Sequence, residues 1–251
     1  MSHDHIGVPR FIEKGFSKNC QVYVYDVIRE KEYKMSIDRL GTKQNYYDKD
    51  VEENLLANGI ENNFSQLYID FCNANRVSKK KEILDQNLEL VTQFFSFMYM
   101  RSKKTLNQVN NESITAKLFG EMRHSDLLRL QSLTKTNPLK IIDEKYILYP
   151  IVNNSETLFI NNSIGFGMMI NKEGKYSFVI PLNTHNAILI TRDLDSLEFD
   201  GFLIETGENE KADSINKVIV RTEKVIGNGF FFGKEEKSIF KYIEYFHAIK
   251  E

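Results

Sequence analysis

Apolar positions along this chain follow two different periods, and the change from one to the other marks out its elements. Gln21 to Ile28 and Glu32 to Ile37 are rich in β-branched and aromatic residues and flank the charged link Arg29-Glu30-Lys31, which predicts a hairpin over residues 20–38. From Asp50 the spacing lengthens: Val51, Leu55, Ile60, Phe64, Leu67, Tyr68 and Phe71 recur at three, four and five residues, predicting an amphipathic helix to about Asn75. Ser78 is placed to cap a second helix, which opens on Lys79-Lys80-Lys81 and becomes steadily more apolar through Leu84, Val91, Phe94, Phe95, Met98 and Tyr99. A third is expected from Ser113 to Leu133, ended by Asn137-Pro138.

Beyond Asp143 the pattern is that of strands: Tyr146 to Val152, Thr157 to Ile160, Gly167 to Ile170, Tyr176 to Pro181, Ala187 to Thr191 and Leu197 to Ile204. Helical spacing returns at Ile215, Val218, Ile219, Thr222 and Ile226, stops at Gly227-Asn228-Gly229, and resumes from Lys234 to Ile249. The expected fold is a single α+β domain over residues 1–251: hairpin 20–38, a helical part 50–136 packed with a mainly antiparallel sheet in 145–232, and a terminal helix 234–250.

Charge modifies this picture only locally. The formal net charge is −2, yet Arg76 to Lys145 holds 13 basic and 8 acidic residues, and Thr191 to Ser214 holds 8 acidic and 2 basic. One basic and one acidic face can hold a nucleic acid locally without making the chain a polyanion sponge, and two ordinary solvated faces have the same signature. Cys20 and Cys72 follow no C-x-x-C spacing and read as reduced core residues. No run reaches the ~18 apolar residues of a membrane span, and no apolar leader opens the chain, so the expectation is a cytoplasmic protein with no membrane partner.

Most marked enzyme classes drop out. There is no G-x-x-x-x-G-K-[ST], no H-E-x-x-H, no G-x-S-x-G, and Gly165-Phe-Gly167 lacks the third glycine of a dinucleotide fingerprint and reads as a turn between short strands. Neither a metal nor a cofactor is expected. The chemistry concentrates near the N-terminus, in His5-Ile-Gly-Val-Pro9-Arg10-Phe11 with Phe16: Pro9 fixes φ and biases Val8 to an extended backbone, turning His5 away from the two aromatics, which can dip into a core.

That motif, the strand ending Tyr25-Asp26, Tyr46-Tyr47 followed by Glu52/Glu53 and Ile60-Glu61, the helix ending in Arg101, and the late Ile180-Pro181-Leu182 form an ordered series. It resembles a bacterial and phage family known only as a domain of unknown function, whose N-terminal element reads roughly His-x-x-Pro-x-x-aromatic. One departure stands out. Relatives carry a Thr-Ser-Asp-Asn-Pro-like turn where this chain has Ile160-Asn161-Asn162-Ser163-Ile164, and a neutral amide at Asn162 is a far weaker ligand for a hard cation than a carboxylate. The series is also similar to abortive-infection proteins of the AbiB type from Gram-positive bacteria. That resemblance implies an anti-phage effector under which infected cells lose messenger RNA.

Metal-independent RNA cleavage needs a base for the 2′-hydroxyl, an acid for the leaving oxygen and cations beside the phosphorane-like transition state. Of His3, His5, His124, His185 and His247, His5 is the best candidate because Arg10 follows it on a turn held by Pro9. Arg101 closes the most apolar helix, where the dipole favours a cation. The candidate catalytic set is therefore His5, Arg10, Arg101 and Glu61, with Glu61 or Asp26 orienting the cations and Tyr47, Asn161, Asn162 and His185 binding substrate. Each has a plainer account: His5 and Arg10 tie the N-terminal arm to Glu61 or Asp26, Arg101 is a helix-end charge, and Asn161-Asn162 is a turn. RNA and a phage-encoded trigger are the expected partners of an endoribonuclease. A non-enzymatic sensor that releases a host nuclease is the alternative.

Overall fold

The computed structural model describes residues 3–5, 7–44, 46–112, 122–134, 146–170, 174–192, 205–206 and 209–249. The fold class is α+β, with mainly antiparallel sheets. Strands β2 (Gln21–Asp26) and β3 (Lys31–Ser36) form the expected hairpin, and β11 (Phe230–Gly233) and β6 (Asn161–Asn162) extend it into a four-stranded antiparallel sheet ordered β3-β2-β11-β6. A second sheet is built from β5 (Ile147–Asn153), β7 (Gly167–Ile170), β8 (Tyr176–Pro181), β9 (Asn186–Thr191) and β10 (Glu205–Thr206), in the order β10-β5-β9-β8-β7; only β10 joins in parallel. The short pair β1 (His3–His5) and β4 (Thr42–Gln44) ties the start of the chain to the end of the hairpin.

Helices fill the space between. After α1 (Arg10–Gly15) come a π-helix over Val51–Glu61, α2 (Asn62–Asn73), α3 (Val77–Gln86), α4 (Leu88–Met100), α5 (Lys103–Glu112), α6 (His124–Thr134), α7 (Asn209–Ile226) and α8 (Glu236–Ala248). One continuous apolar core joins helices to both sheets. Phe95 of α4 meets Phe166 at 5.0 Å and Phe178 of β8 at 4.5 Å, while Phe64 and Phe94 stack at 3.7 Å, so α4 is the central rod that its rising apolar content predicts. Phe16 sits fully buried against Phe232, and Phe11 packs on Tyr68, as the N-terminal motif requires.

Several boundaries differ from expectation for identifiable reasons. The second predicted helix is two, because Asn87 takes φ −126°, ψ 27° and its side-chain amide donates to the Ile83 carbonyl at 2.8 Å, capturing an acceptor at the end of α3. Ser78 does not cap: Arg76 holds the N-cap position and no side chain bonds there. Lys80, one of the three lysines on which the second predicted helix opens, is 4% exposed and donates to the Phe71 carbonyl at 2.5 Å, closing the end of α2. The third predicted helix falls partly on residues 113–121, outside the described residues; its C-terminal part belongs to α6, and α5 ends just before it. Thr157 to Ile160 is not a strand, and Leu197 to Ile204 lies outside the described residues. Cys20 is not a core residue; it is exposed, in a turn with φ +58°, and Cys72 is half-buried.

Candidate functional site

Arg101 ends α4 at a corner where the chain turns into α5, and the apolar surroundings of α4 leave its side chain 2% exposed. A buried guanidinium must find acceptors. One Nη donates to the Gly7 carbonyl at 2.7 Å and the other pairs with the carboxylate of Glu61, itself 20% exposed, while Cζ lies 5.9 Å from the centre of the Tyr47 ring. Burial opposes the charge on Arg101, but the carboxylates of Glu61 and Glu52 outweigh it and hold the guanidinium protonated. Burial drives the Tyr47 hydroxyl far above the usual phenol range, so it stays neutral. The Nε of Arg101 is buried without a hydrogen-bond partner among the described residues.

The loop that carries Tyr47 is clamped from α6. His124 Nδ1 and the Tyr46 hydroxyl lie 2.8 Å apart, the Asp48 amide donates to Ser125 Oγ at 2.9 Å, and Arg123 and Arg129 bridge to Asp48, Asp50 and Asp126. The π-helix next in the chain supplies the carboxylates. Glu52 stands in its first turn and Glu61 at its end, on either side of a kink at Gly59, whose φ −94° and ψ −107° are not helical. Both act on Arg101 and on Tyr47.

Arg101, Glu61 and Tyr47 are thus brought together. The backbone of His5 pairs with Thr42 in the β1–β4 ribbon, two residues before the Gly7 carbonyl that Arg101 holds; its side chain is outside the described residues. Arg10 does not converge on Arg101. It pairs with Asp38, both about half exposed, because α1 turns its first residue outward. Asp26 orients neither cation: its Oδ1 accepts the amides of Ile28 and Arg29 at 3.0 and 2.9 Å and shapes the hairpin turn. Asn161 and Asn162 are fully buried, with amides spent on the backbone: Asn161 donates to the Pro181 carbonyl, and Asn162 donates to the Phe166 and Ile219 carbonyls and accepts from Ile164 and Gly165. They brace the turn, leaving nothing for a substrate. His185 is exposed, and its Nδ1 lies 3.0 Å from the Asn153 carbonyl, at the end of the β5–β9 pair.

Two features escape a reading of motifs. Glu223 on α7 is buried and faces the Ser163 turn, where Gly7 packs so closely that a Cβ on it would overlap the Ser163 carbonyl oxygen. Its sequence signal is an acidic residue on the apolar face of an amphipathic helix, four residues before a Gly-Asn-Gly. Separately, an open groove of about 680 Å³ between the β2–β3 turn and α8 contains the Tyr25 hydroxyl 2.8 Å from His247 Nε2, rimmed by Lys31, Lys241 and Glu244. Among the described residues no helix is long and apolar enough to cross a membrane, and no group of three or more His, Cys, Asp and Glu residues is arranged to hold a metal ion.

Neither a curated protein nor a solved structure matches this chain. Residues 5–193, from the first residue of the N-terminal motif to just past β9, match a family described as a protein of unknown function, DUF4238. The chain belongs to the DUF4238 family.

Proposed function

We propose that this chain is a cytoplasmic anti-phage effector that acts on RNA as a metal-independent endoribonuclease, with its reaction centre at the Arg101–Glu61 pair beneath the N-terminal motif. The single observation that carries the reading is the Nε of Arg101, a buried donor left without a protein partner among the described residues, on a guanidinium whose other nitrogens are fixed by Gly7 and Glu61. An unmet buried donor costs about 1–3 kcal/mol, and a phosphoryl oxygen is the acceptor that a fixed guanidinium recognises best. In this scheme His5, two residues from the held carbonyl, takes the proton of the ribose 2′-hydroxyl. The oxygen attacks phosphorus, the P–O5′ bond breaks with the 5′-oxygen taking a proton from solvent, and a 2′,3′-cyclic phosphate results. Arg101 meets the charge that develops on the non-bridging oxygens, and Glu61 keeps Arg101 in place. Arg10, engaged by Asp38, has no part in it.

The test is incubation of purified protein with phage messenger in the presence of EDTA. The expected result is fragments ending in cyclic phosphate, with the rate lowered about 10²- to 10⁴-fold in His5→Ala. Intact RNA, in conditions where cells expressing the protein lose messenger, removes direct catalysis. A second reading, a non-enzymatic sensor that binds a phage protein and releases a host nuclease, is favoured by the 2% exposure of Arg101, which demands that the N-terminal arm move before any substrate reaches it. It predicts that His5→Ala leaves protection intact.

A further inference from the structure

Glu223 is a deeply buried carboxylate that the cleavage scheme does not use. It stands on the last turn of α7, 4% exposed, and accepts four hydrogen bonds: from the amide and hydroxyl of Ser163 at 3.0 and 2.6 Å on one oxygen, and from the amides of Gly229 and Phe230 at 2.6 and 3.0 Å on the other. Gly227 passes so close that a Cβ there would overlap the carboxylate. The two segments it joins both abut the Arg101 corner. The Ser163 turn underlies Gly7, whose carbonyl Arg101 holds. In the other segment the Asn228 amide donates to Ser163 Oγ at 2.6 Å and its side chain reaches the Arg101 carbonyl at 3.4 Å, while Ser102 Oγ donates to the Ile226 carbonyl at 2.7 Å.

We propose that Glu223 is a positioning residue for the Arg101–Gly7 site: its ionised carboxylate clips the Ser163 turn to the Gly227–Phe230 loop and so sets the seat on which the N-terminal motif rests. The inference deepens the reading of that site as a reaction centre and rests on it for its functional consequence. Every group facing the carboxylate is a donor, so a proton on it must be accommodated by rearrangement. On the oxygen held by Gly229 and Phe230 it would point at two N–H groups. On the other it can donate only to Ser163 Oγ, which must then turn its own hydrogen away. Burial lifts the carboxyl to about 7, against hydrogen bonds that favour the ionised form, which puts this rearrangement near neutral pH.

No other ionisable side chain bonds to it among the described residues. From the α4–α5 corner come Arg101, bound to Gly7 and Glu61, and Lys104, on the Val225 carbonyl; from α8, Lys241 is taken by Asp213 and His247 by Tyr25; β6, β7 and β11 present no charged residue; on α7 itself Lys224 turns to the Phe246 and Ile249 carbonyls.

The test is a pH titration, from about pH 5 to about pH 9, of backbone amide resonances in the full chain and in Glu223→Gln. The expected result is that Ser163, Gly229 and Phe230 titrate with one midpoint near 7, that Gly7 and Asn228 follow with the same midpoint, and that all five are flat in the variant. Flat resonances in the unaltered chain overturn the proposal, as does a titration of Ser163, Gly229 and Phe230 that leaves Gly7 unmoved. The unaltered chain needs no variant to give this answer, and Ser163→Ala, which removes one partner, is expected to shift the midpoint upward. RNA cleavage measured in parallel is expected to rise with the same midpoint in the unaltered chain and to lose that step in the variant. Coupled titration with RNA intact at every pH leaves the clip standing and removes the nuclease reading; cleavage without the coupled titration does the reverse.

Discussion

At the scale of single residues the molecule is governed by two buried ionic groups with opposite solutions. Arg101 is neutralised by Glu61, and removing one member of such a pair strands the other, which costs about 3–5 kcal/mol. Glu61→Gln, which leaves the 2% exposed guanidinium without its paired carboxylate, is therefore expected to lower unfolding free energy by about that amount in urea, and Arg101→Ala, which strands a carboxylate that is 20% exposed, by about 3 kcal/mol. A loss under about 1 kcal/mol for Arg101→Ala would mean the pair is not a structural keystone. Glu223 has donors but no counter-charge bonded to it among the described residues. Its carboxyl is raised from 4.5 to about 7, so between those values the native state binds more protons than the unfolded chain. Its contribution is complete below about 4.5 and falls away as pH rises through about 7, at a slope of up to about 1.4 kcal/mol per pH unit. The difference in urea midpoint between the unaltered chain and Glu223→Gln isolates this term, with the unaltered chain losing ground from acid to neutral pH. Parallel curves for the two proteins would refute it.

Elements show how such residues come to meet, and which of them the sequence discloses. The hairpin, the apolar rod α4 and the three longer antiparallel strands β5, β8 and β9 follow directly from period and composition, because their apolar faces have one partner each. The spacing of five between Leu55 and Ile60 spans the kink at Gly59, where the backbone leaves helical φ/ψ, so the buried residues Val51, Leu56 and Ile60 keep no single helical period. Asn87 is a break only because its side chain competes for a backbone acceptor, and Arg10 leaves the site only because α1 begins facing solvent; neither has a sequence period to announce it. Asn161 and Asn162 look like ligands in sequence and are braces in space, since a buried amide and an exposed one are written with the same letter. Docking of the N-terminal arm is likewise a matter of tertiary contact. Gly7→Ala forces a Cβ into the Ser163 carbonyl and is expected to cost about 1–3 kcal/mol. Because it also unseats the carbonyl that Arg101 holds, its effect and that of Arg101→Ala are expected to be non-additive by at least about 0.5 kcal/mol in a double-mutant cycle. Additive losses would separate the arm from the corner.

On the scale of the whole molecule, the family match ends at residue 193, yet the four-stranded sheet does not close without the C-terminal strand beyond that point. Strand β11 lies between β2 and β6, so removing it leaves two edges where the native sheet has interior pairing. Phe231 packs on Tyr25 at 5.3 Å and Phe232 on Phe16 at 5.7 Å, so the hairpin and the N-terminal motif both depend on this strand for their cores. Phe231, Phe232, Ile219 and Tyr242, all at most 1% exposed, account for about 6–12 kcal/mol of burial between them. That is the scale of a domain's entire stability, about 5–15 kcal/mol. A fragment of residues 1–193 is therefore expected to show no cooperative urea transition and no dispersed amide spectrum on its own. Addition of residues 205–251 as a separate chain is expected to restore both, since α7, β11 and α8 carry the missing surface as one contiguous stretch. A cooperative transition in the shorter fragment alone would show that the matched region is a self-sufficient fold and that Glu223 clips on an accessory rather than completing the molecule.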